Sequence, residues 1–173
     1  MASETDTEQG CYTEHGVSGY GVAAKLSRKD PMDTAFLKET AEQTMQLIAR
    51  KCMDAGARCI GHIKSHIKTE AGTIKADTIG VDHGTFSTGE LDHAVTETAM
   101  AINSIIQGIK EDVVRKATLD GLHEVAQDQG LDVVKEKEHT YFDEFDFVTS
   151  KQEYIKQLNE QLAGDDPSDT PEK

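Results

Sequence analysis

The residues best suited to binding chemistry form a short segment rich in histidine and lysine. Residues 62–68 read HIKSHIK. Because alternate side chains of a β-strand share a face, His62, Lys64, His66 and Lys68 would line one face of a strand here. Such a row attracts phosphates and carboxylates, and imidazoles ionise at about pH 6.5, so mild acid would add positive charge. We therefore predict that these four residues bind an anionic small molecule or an acidic protein surface.

The charge around this segment supports the prediction but also allows a plainer interpretation. Residues 58–76 contain four Lys or Arg and one Glu, in a chain with a formal net charge of −14. The plainer interpretation is an ordinary solvated sheet face, neutralised by the acidic residues 136–146 of the same or a neighbouring subunit. The sequence leaves both interpretations open.

A metal site is an alternative for the same segment. In a helix, Cys59, His62 and His66 would share one face and could bind Zn²⁺ with His83 or Asp82 as a fourth ligand. In a strand, the two histidines lie about 13 Å apart, too far to share an ion with bonds of about 2.1 Å. The strand interpretation therefore predicts no metal at this segment.

Three carboxylate–histidine pairs at i, i+3 spacing suggest a second kind of metal site, as in di-iron helical bundles. The pairs are Glu90 with His93, Asp120 with His123, and Glu136 with His139. No inward-facing Glu accompanies them on the other predicted helices, so we predict no metal, and the sequence identifies no cofactor. Were a metal bound, its candidate ligands would be Cys59, His62, His66 and His93.

The catalytic candidates are Asp82 and His83, together with Glu90. A carboxylate beside an imidazole near a helix N-terminus can perform general acid–base chemistry. Adjacent residues usually point in different directions, however, and Asp-His-Gly is common in loops. The spacing of Gly84 and Gly89 matches a phosphate-binding loop, but Glu90 stands where that loop needs Lys. The chain therefore carries no complete catalytic signature, and whether it is an enzyme stays open.

Two helices are predicted from capping residues and apolar spacing. The first begins at the cap Asp30 and Pro31, carries apolar residues every three or four positions, and ends at Gly56. The second begins at the capping-box sequence STGE, residues 87–90, and its apolar stripe continues to residue 116. This second helix would be about 43 Å long. A helix of that length requires a long apolar surface, which favours self-association along it.

The remaining segments are predicted as strands and short helices. Nine of residues 59–81 are Ile, Thr or Val, and a turn sequence stands at residues 70–73, which favours a β-hairpin over a helix. A short helix is predicted over residues 118–125, and strands over residues 131–137 and 141–148. A last helix is predicted from residue 149.

Together these elements predict an α+β domain in which a small antiparallel sheet packs on a long amphipathic helix, with N- and C-terminal helices. The sheet would contain the hairpin and two further strands. Residues 1–29 contain four Gly among Ser, Thr and acids and are predicted as a disordered tail. Residues 30–163 would form the domain, and residues 164–173 a disordered acidic tail.

The order of the central elements, two strands followed by two helices and two strands, resembles that of tunnelling-fold proteins. That group includes pterin- and purine-handling enzymes that assemble into rings. The resemblance is one of element order and includes no shared motif. It implies an alternative function, an oligomeric enzyme that acts on a pterin- or purine-like small molecule near Asp82, His83 and Glu90.

Composition limits the classes of protein that fit. The chain has 173 residues, with 32 Asp or Glu against 18 Lys or Arg, which suits one domain. No apolar stretch approaches the roughly 18 residues of a membrane span, and no signal-peptide pattern opens the chain, so we expect no membrane-spanning or secreted protein. Three cysteines are typical of reduced thiols in the cytoplasm. The acidity argues against nucleic acid as a partner.

The leading hypothesis is therefore a non-catalytic cytoplasmic binding or assembly protein. We expect it to be homo-oligomeric and to engage an anionic ligand or acidic partner through the His/Lys-rich strand face.

Overall fold

The computed structural model describes residues 16–140, which form one antiparallel sheet and two helices. The elements in chain order are β1 (Val17–Met32), α1 (Thr34–Asp54), β2 (Cys59–Thr69), β3 (Gly72–Thr78), β4 (Phe86–Leu91), β5 (Val95–Gln107), α2 (Glu111–Asp128) and β6 (Asp132–Thr140). A 3-10 turn, Val81–His83, lies between β3 and β4. Within residues 16–140, neither helix combines the length and the apolar composition that a membrane crossing requires.

The six strands lie in the order β4-β3-β2-β5-β1-β6. Strands β1 and β2 each pair antiparallel with β5, which lies between them, so they are parallel to each other and α1 connects them. Strands β5 and β6 flank β1 in the same way and are connected by α2. These two interleaved units form the split βαβ arrangement of ferredoxin-like folds, and β3 and β4 extend the sheet beyond β2.

Both helices lie on the same side of the sheet. Helix α1 contacts β2, β3 and β4, whereas α2 contacts α1, β1, β5 and β6. The core lies between the helices and the sheet and contains alternate residues of each long strand. On β1 these are Tyr20, Val22, Ala24 and Leu26. We call this side of the sheet the covered face.

The predicted architecture is wrong, because residues 16–140 are dominated by a six-stranded sheet and the predicted long helix is absent from them. Residues 87–116, predicted as one helix, form most of β4, all of β5 and the first turns of α2. The capping-box sequence lies within β4, where Ser87 pairs with Ala76 and Glu90 pairs with Thr73. On β5, Met100, Ile102 and Ile106 are buried with the period of two that a strand requires.

The predicted first helix is present as α1, with its start moved from Pro31 to Thr34, but it is not N-terminal, because the unpredicted strand β1 precedes it. Residues 17–29, predicted as part of a tail, form most of β1. Asp30 and Pro31 belong to the end of that strand, and the N-cap of α1 is Asp33. The Phe36 backbone N–H donates to the Asp33 carboxylate at 2.8 Å. A side-chain oxygen at this position satisfies a backbone donor that the first helical turn leaves free.

Other predicted elements are present. The hairpin of β2 and β3 occupies residues 59–78, and α2 contains the predicted helix over residues 118–125. Strand β6 contains most of the predicted strand over residues 131–137. The predicted strand over residues 141–148, the last helix, residues 1–15 and the tail from residue 164 lie outside the described residues. The two-strand, two-helix, two-strand order of tunnelling-fold proteins is absent from residues 16–140.

Candidate functional site

Strand β2 has two different faces. Ile63, Ser65 and Ile67 are buried on the covered face. On the opposite face, Lys64 and Lys68 are exposed, whereas His62 and His66 are half-buried. No element of residues 16–140 covers this second side of the sheet, which we call the open face. The structure thus places His62, Lys64, His66 and Lys68 in one row.

A β-bulge at Gly61 places the first histidine in that row. Ile60 pairs with Ile106, but His62 pairs with Ile105, so the register shifts by one residue between them. The shift lets both Ile60 and Ile63 face the core while His62 turns to the open face. A Cβ atom at Gly61 would lie 2.9 Å from the Ile105 carbonyl oxygen, so the bulge requires glycine.

Neighbouring strands bring further lysines to the open face. Lys75 on β3 lies opposite His66. Across the sheet, Lys137 on β6 lies opposite Ala23 of β1, and Lys135 lies directly opposite Lys25. The open-face lysines are therefore Lys25, Lys64, Lys68, Lys75, Lys135 and Lys137. Only Lys64 and Lys68 were predicted as site residues, because Lys25, Lys135 and Lys137 lie on strands whose position in the sheet the sequence did not show, and the pairing of Lys75 with His66 depends on the register of the hairpin.

The open-face lysines are largely uncompensated. Lys25 forms an ion pair with Glu97 of β5 at 2.8 Å. Asp77 of β3 lies opposite Lys64 in the strand register but forms no ion pair with it. The other five lysines form no ion pair with any of residues 16–140. The open face therefore carries a local excess of positive charge on an acidic protein.

The first acids of the stretch that was expected to neutralise this charge lie on the covered side. Glu136 hydrogen-bonds to His123 of α2 at 2.6 Å. Arg115 of α2 donates two hydrogen bonds to Glu138, at 2.6 and 2.5 Å, and these bonds lower the pKa of the Glu138 carboxyl. Both carboxylates thus tie β6 to α2 and leave the lysines unneutralised. Residues 141–146 lie outside the described residues.

The centre of the open face is a shallow trough between two rows of positive charge. Its floor consists mostly of small residues on the two central strands: Gly19, Gly21 and Ala23 of β1, and Ala99 and Ala101 of β5, with Asn103 and Ile105 of β5 on the same face and Lys25 of β1 at one end. The β2 row forms one wall and the two β6 lysines form the other. Three strand spacings separate β2 from β6, a width of about 14 Å.

The positive surroundings lower the pKa values of both imidazoles. Partial burial lowers the pKa of His62 most, Lys64 lowers it further, and Asp77 opposes them. Partial burial also lowers the pKa of His66, followed by the charges of Lys68 and Lys75. Both histidines are therefore mostly neutral at pH 7 without a ligand, and a bound anion would favour their protonated forms.

The structure does not gather the catalytic candidates. Asp82 and His83 are exposed in the 3-10 turn, near the Phe86 end of β4. Glu90 lies at the other end of β4, about 13 Å along the strand from Phe86. Burial raises the pKa of the Cys52 thiol to about 12, so this cysteine is a core residue with no nucleophilic role near neutral pH.

The metal candidates are also apart. Cys59 donates to the Gln107 side chain at 3.2 Å, and His93 lies 3.7 Å from Glu70. His62 and His66 are four residues apart on β2, about 13 Å in an extended chain. Among residues 16–140, no group of three or more His, Cys, Asp or Glu side chains could hold a metal ion.

A cleft of about 280 Å³ lies between the helices on the covered side. Its charged lining residues are Lys51, Lys116, Asp54 and Asp120. Lys116 pairs with Asp120, and Lys51 pairs with Glu124 at 2.7 Å. The cleft therefore offers little uncompensated charge, in contrast to the open face.

Comparison with known proteins identifies no family. No family model matches the chain, and no curated protein matches it. A similar solved structure is the crystal structure of a Zn(II)-bound triple mutant of YjiA GTPase, at 14% identity and a TM-score of 0.34. The match covers 62% of this chain and 30% of that one. At this TM-score the similarity carries no argument about fold, metal or nucleotide.

Proposed function

We propose that this protein is a non-catalytic binding protein whose open face holds an anionic partner. One observation carries the proposal: six of the 18 Lys and Arg residues lie on a single sheet face of a chain with a net charge of −14. Two imidazoles share that face. An excess of positive charge on one face of an acidic protein directs that face toward an anionic partner.

The arrangement of the lysines favours binding over a purely structural role. Lys25 and Lys135 stand directly opposite each other on neighbouring strands. Like charges in this position destabilise a sheet. His66 and Lys75 form a second pair that repels whenever the imidazole is protonated. An anion lying across the rows would relieve both repulsions.

The same charges disfavour a symmetric dimer through the open face. In a two-fold interface the same patch meets itself, so lysines would face lysines. Like-charge contacts of this kind cost several kcal/mol, on the order of what an interface gains. Homo-oligomerisation stays in the proposal only through other surfaces, such as the sheet edges formed by β4 and β6.

An acidic protein partner fits the open face better than nucleic acid does. Sheets that bind single-stranded RNA stack bases on aromatic side chains of their central strands. Here the corresponding central positions are Ala23, Ala99 and Ala101, with Gly19 and Gly21 beside them. The overall acidity would also oppose a long phosphate backbone. We place the protein in the cytoplasm, where its cysteines stay reduced.

The test measures binding of a defined polyanion, fluorescein-labelled poly-L-glutamate, by fluorescence anisotropy at low salt. The variant Lys64→Gln/Lys68→Gln removes two charges from the open face. The matched control Lys38→Gln/Arg50→Gln removes two charges from α1. We expect the first variant to lose about tenfold or more in affinity, since two charges contribute about 1.4 kcal/mol together. The control should stay within about twofold.

The proposal is wrong if the wild-type protein does not bind poly-L-glutamate. It is also wrong if both double variants lose the same affinity, because binding would then depend on overall charge alone. Circular dichroism of each variant, with equal thermal transitions, shows that the fold is unchanged in the comparison.

A further inference from the structure

We infer that the partner of the open face is an acidic amphipathic α-helix that lies along β1 and β5. This inference rests on the proposed function and names the class of partner. It follows from the shape of the trough, its length, the spacing of the charges and the apolar floor.

The width of the trough suits a helix. The walls at β2 and β6 stand about 14 Å apart, and an α-helix with its side chains is about 10–12 Å in diameter. The middle of the floor contains the small residues Gly21, Ala23 and Ala101, with Asn103 and Ile105 further along β5. Small residues let a helix approach the sheet closely, so that its flanks reach the lysines on both sides.

The length of the floor also suits a helix. Strands β1 and β5 pair continuously from Val17 opposite Gln107 to Ser27 opposite Glu97, which is eleven residue pairs. Ten steps of about 3.4 Å make the paired strands about 34 Å long, with Lys25 and its ion-pair partner Glu97 near one end. A helix of about 20 residues is about 30 Å long, so it could lie along the paired strands.

The charges fit a helix with acids on both flanks. Lys64 and Lys68 on one wall lie about 13 Å apart along the strand. Acidic residues two helical turns apart on one flank are separated by about 11 Å, which long lysine side chains can match. Lys135 and Lys137 on the other wall would meet acids on the opposite flank.

The floor favours a helix over other anions. Ala23, Ala101 and Ile105 are half-buried and offer apolar contact that a free phosphate would not use. An extended peptide adds to the edge of a sheet, where backbone groups are free, and does not lie on its face. A helix with a narrow apolar stripe and acidic flanks uses both the floor and the walls.

The test compares three synthetic peptides of about 20 residues, measured by fluorescence anisotropy against the full-length protein. The first has an alanine stripe flanked by glutamates and forms a helix. The second has the same charge but contains central prolines that prevent a helix. The third carries lysines in place of the glutamates. We expect the first to bind at least about tenfold more tightly than the second, and the third not to bind.

A substitution in the floor distinguishes a helix that packs on the floor from a peptide that is held by charge alone. Ala101→Phe adds bulk to the floor without changing charge, and Thr88→Phe adds the same bulk on β4, outside the trough. We expect Ala101→Phe to lower the affinity for the helical peptide by about tenfold or more. Thr88→Phe should leave the binding of both the helical peptide and poly-L-glutamate unchanged.

Each contrary result has its own meaning. If the proline peptide binds as tightly as the helical one, or Ala101→Phe has no effect, the helix is wrong and the anion-binding function stands. If single-stranded polyuridylate binds more tightly than the helical peptide, the partner is nucleic acid and the inference is overturned. Self-association that Lys64→Gln/Lys68→Gln abolishes would make the occupant a second copy, which also overturns it. If neither peptide nor poly-L-glutamate binds, the proposed function fails as well.

Discussion

The two faces of the sheet are built from alternate residues of the same strands, yet they differ in what holds their side chains. On β2, Ile63 and Ile67 have no exposed surface and pack beneath α1. Lys64 and Lys68, their immediate neighbours, are exposed and form no ion pair within residues 16–140. The covered face is fixed by packing, whereas the open face is free to contact a partner.

This difference shows where stability and function can be separated. Burial of apolar side chains stabilises the fold in proportion to the area removed from water. Exposed lysines contribute little to stability and instead shape the potential that a partner meets. Substitutions on the two faces should therefore affect different measurements.

The largest effect is expected from truncation on the covered face. Ile67→Ala should lower the free energy of unfolding by about 2–5 kcal/mol, because it removes a fully buried side chain and leaves a cavity. The adjacent Lys68→Ala should change it by no more than about 0.5 kcal/mol. Urea denaturation of both variants measures the difference. Equal losses would mean that the open face is also packed.

Added bulk should distinguish the faces in the same way. A Cβ atom at Gly121 of α2 would lie 2.6 Å from Cγ1 of Ile48 in α1. Gly121→Ala should therefore cost about 1–2 kcal/mol, since overpacking outweighs the gain in helix propensity. On the open face, Ala99→Val should be neutral within about 0.5 kcal/mol, because a β-branched side chain suits an exposed strand position. Thermal or urea unfolding of the two variants checks both values.

Acid should tighten binding to the open face. The pKa values of His62 and His66 are lowered in the unliganded protein, and a bound anion favours the charged forms. Lowering the pH from about 7.5 to 5.5 should therefore raise the affinity for poly-L-glutamate by about five- to tenfold. In the His62→Gln/His66→Gln variant this increase should be lost, and any remaining change of affinity with pH should be the one caused by protonation of the probe's own carboxylates. An increase unchanged in that variant would assign the pH dependence to other groups.

The same histidines should have the opposite effect on the stability of the unliganded fold. In the unfolded chain they bind protons at about pH 6.5, whereas in the folded protein their lowered pKa values delay protonation. The unfolded state thus holds more protons just below pH 6.5, and the free energy of unfolding falls as the pH drops through that window. Urea midpoints for the wild type and His62→Gln/His66→Gln, compared across the window, isolate their contribution.

The smallest effect concerns Lys25, the open-face lysine that has an ion-pair partner within residues 16–140. Glu97→Gln removes the partner of Lys25 and should raise the affinity for poly-L-glutamate by no more than about fivefold, since exposed ion pairs contribute at most about 1 kcal/mol. The matched control is Glu124→Gln, which breaks the Lys51–Glu124 ion pair between the helices. That control should leave the affinity within about twofold. A larger gain in the control than in Glu97→Gln would contradict the placement of the site.

Part of the candidate site could be predicted because it depends on a single strand. The alternation within residues 62–68 and the β-branched residues around them were sufficient to predict that His62, Lys64, His66 and Lys68 share a face. The contributions of Lys25, Lys135 and Lys137 could not be predicted, because they require the register of β1 and β6. The position of β1 depends on pairings between residues far apart in the chain, such as Ala23 of β1 with Ala101 of β5.

The misassigned long helix has a physical cause. In residues 95–107, Val, Ile and Met occur at positions that fit both a spacing of three to four and a spacing of two. Propensity could not decide between them, since the STGE sequence before this segment is typical of a helix cap. Pairing with β1 on one side and β2 on the other decided the outcome, because hydrogen-bonded neighbours on both sides favour an extended chain over a helix.

Strand β1 was missed altogether, because residues 17–29 were predicted as part of a disordered tail. Gly19, Gly21 and Ala23 made the segment resemble a tail, although Tyr20 and Val22 alternate with them. Glycines weaken an isolated strand but are tolerated between two paired neighbours, where small residues also leave room above the sheet.

The sequence by itself determined the period of the His/Lys segment, the position of its hairpin and the acidity that makes a basic patch exceptional. Each of these depends on residues close together in the chain. Tertiary structure alone decided that six lysines share one face, that two of the nearby glutamates turn to α2, and that small residues form a floor between the charged rows. The reason is that strand order and register arise from burying the covered face. Once they are set, they also determine which side chains lie together on the open face.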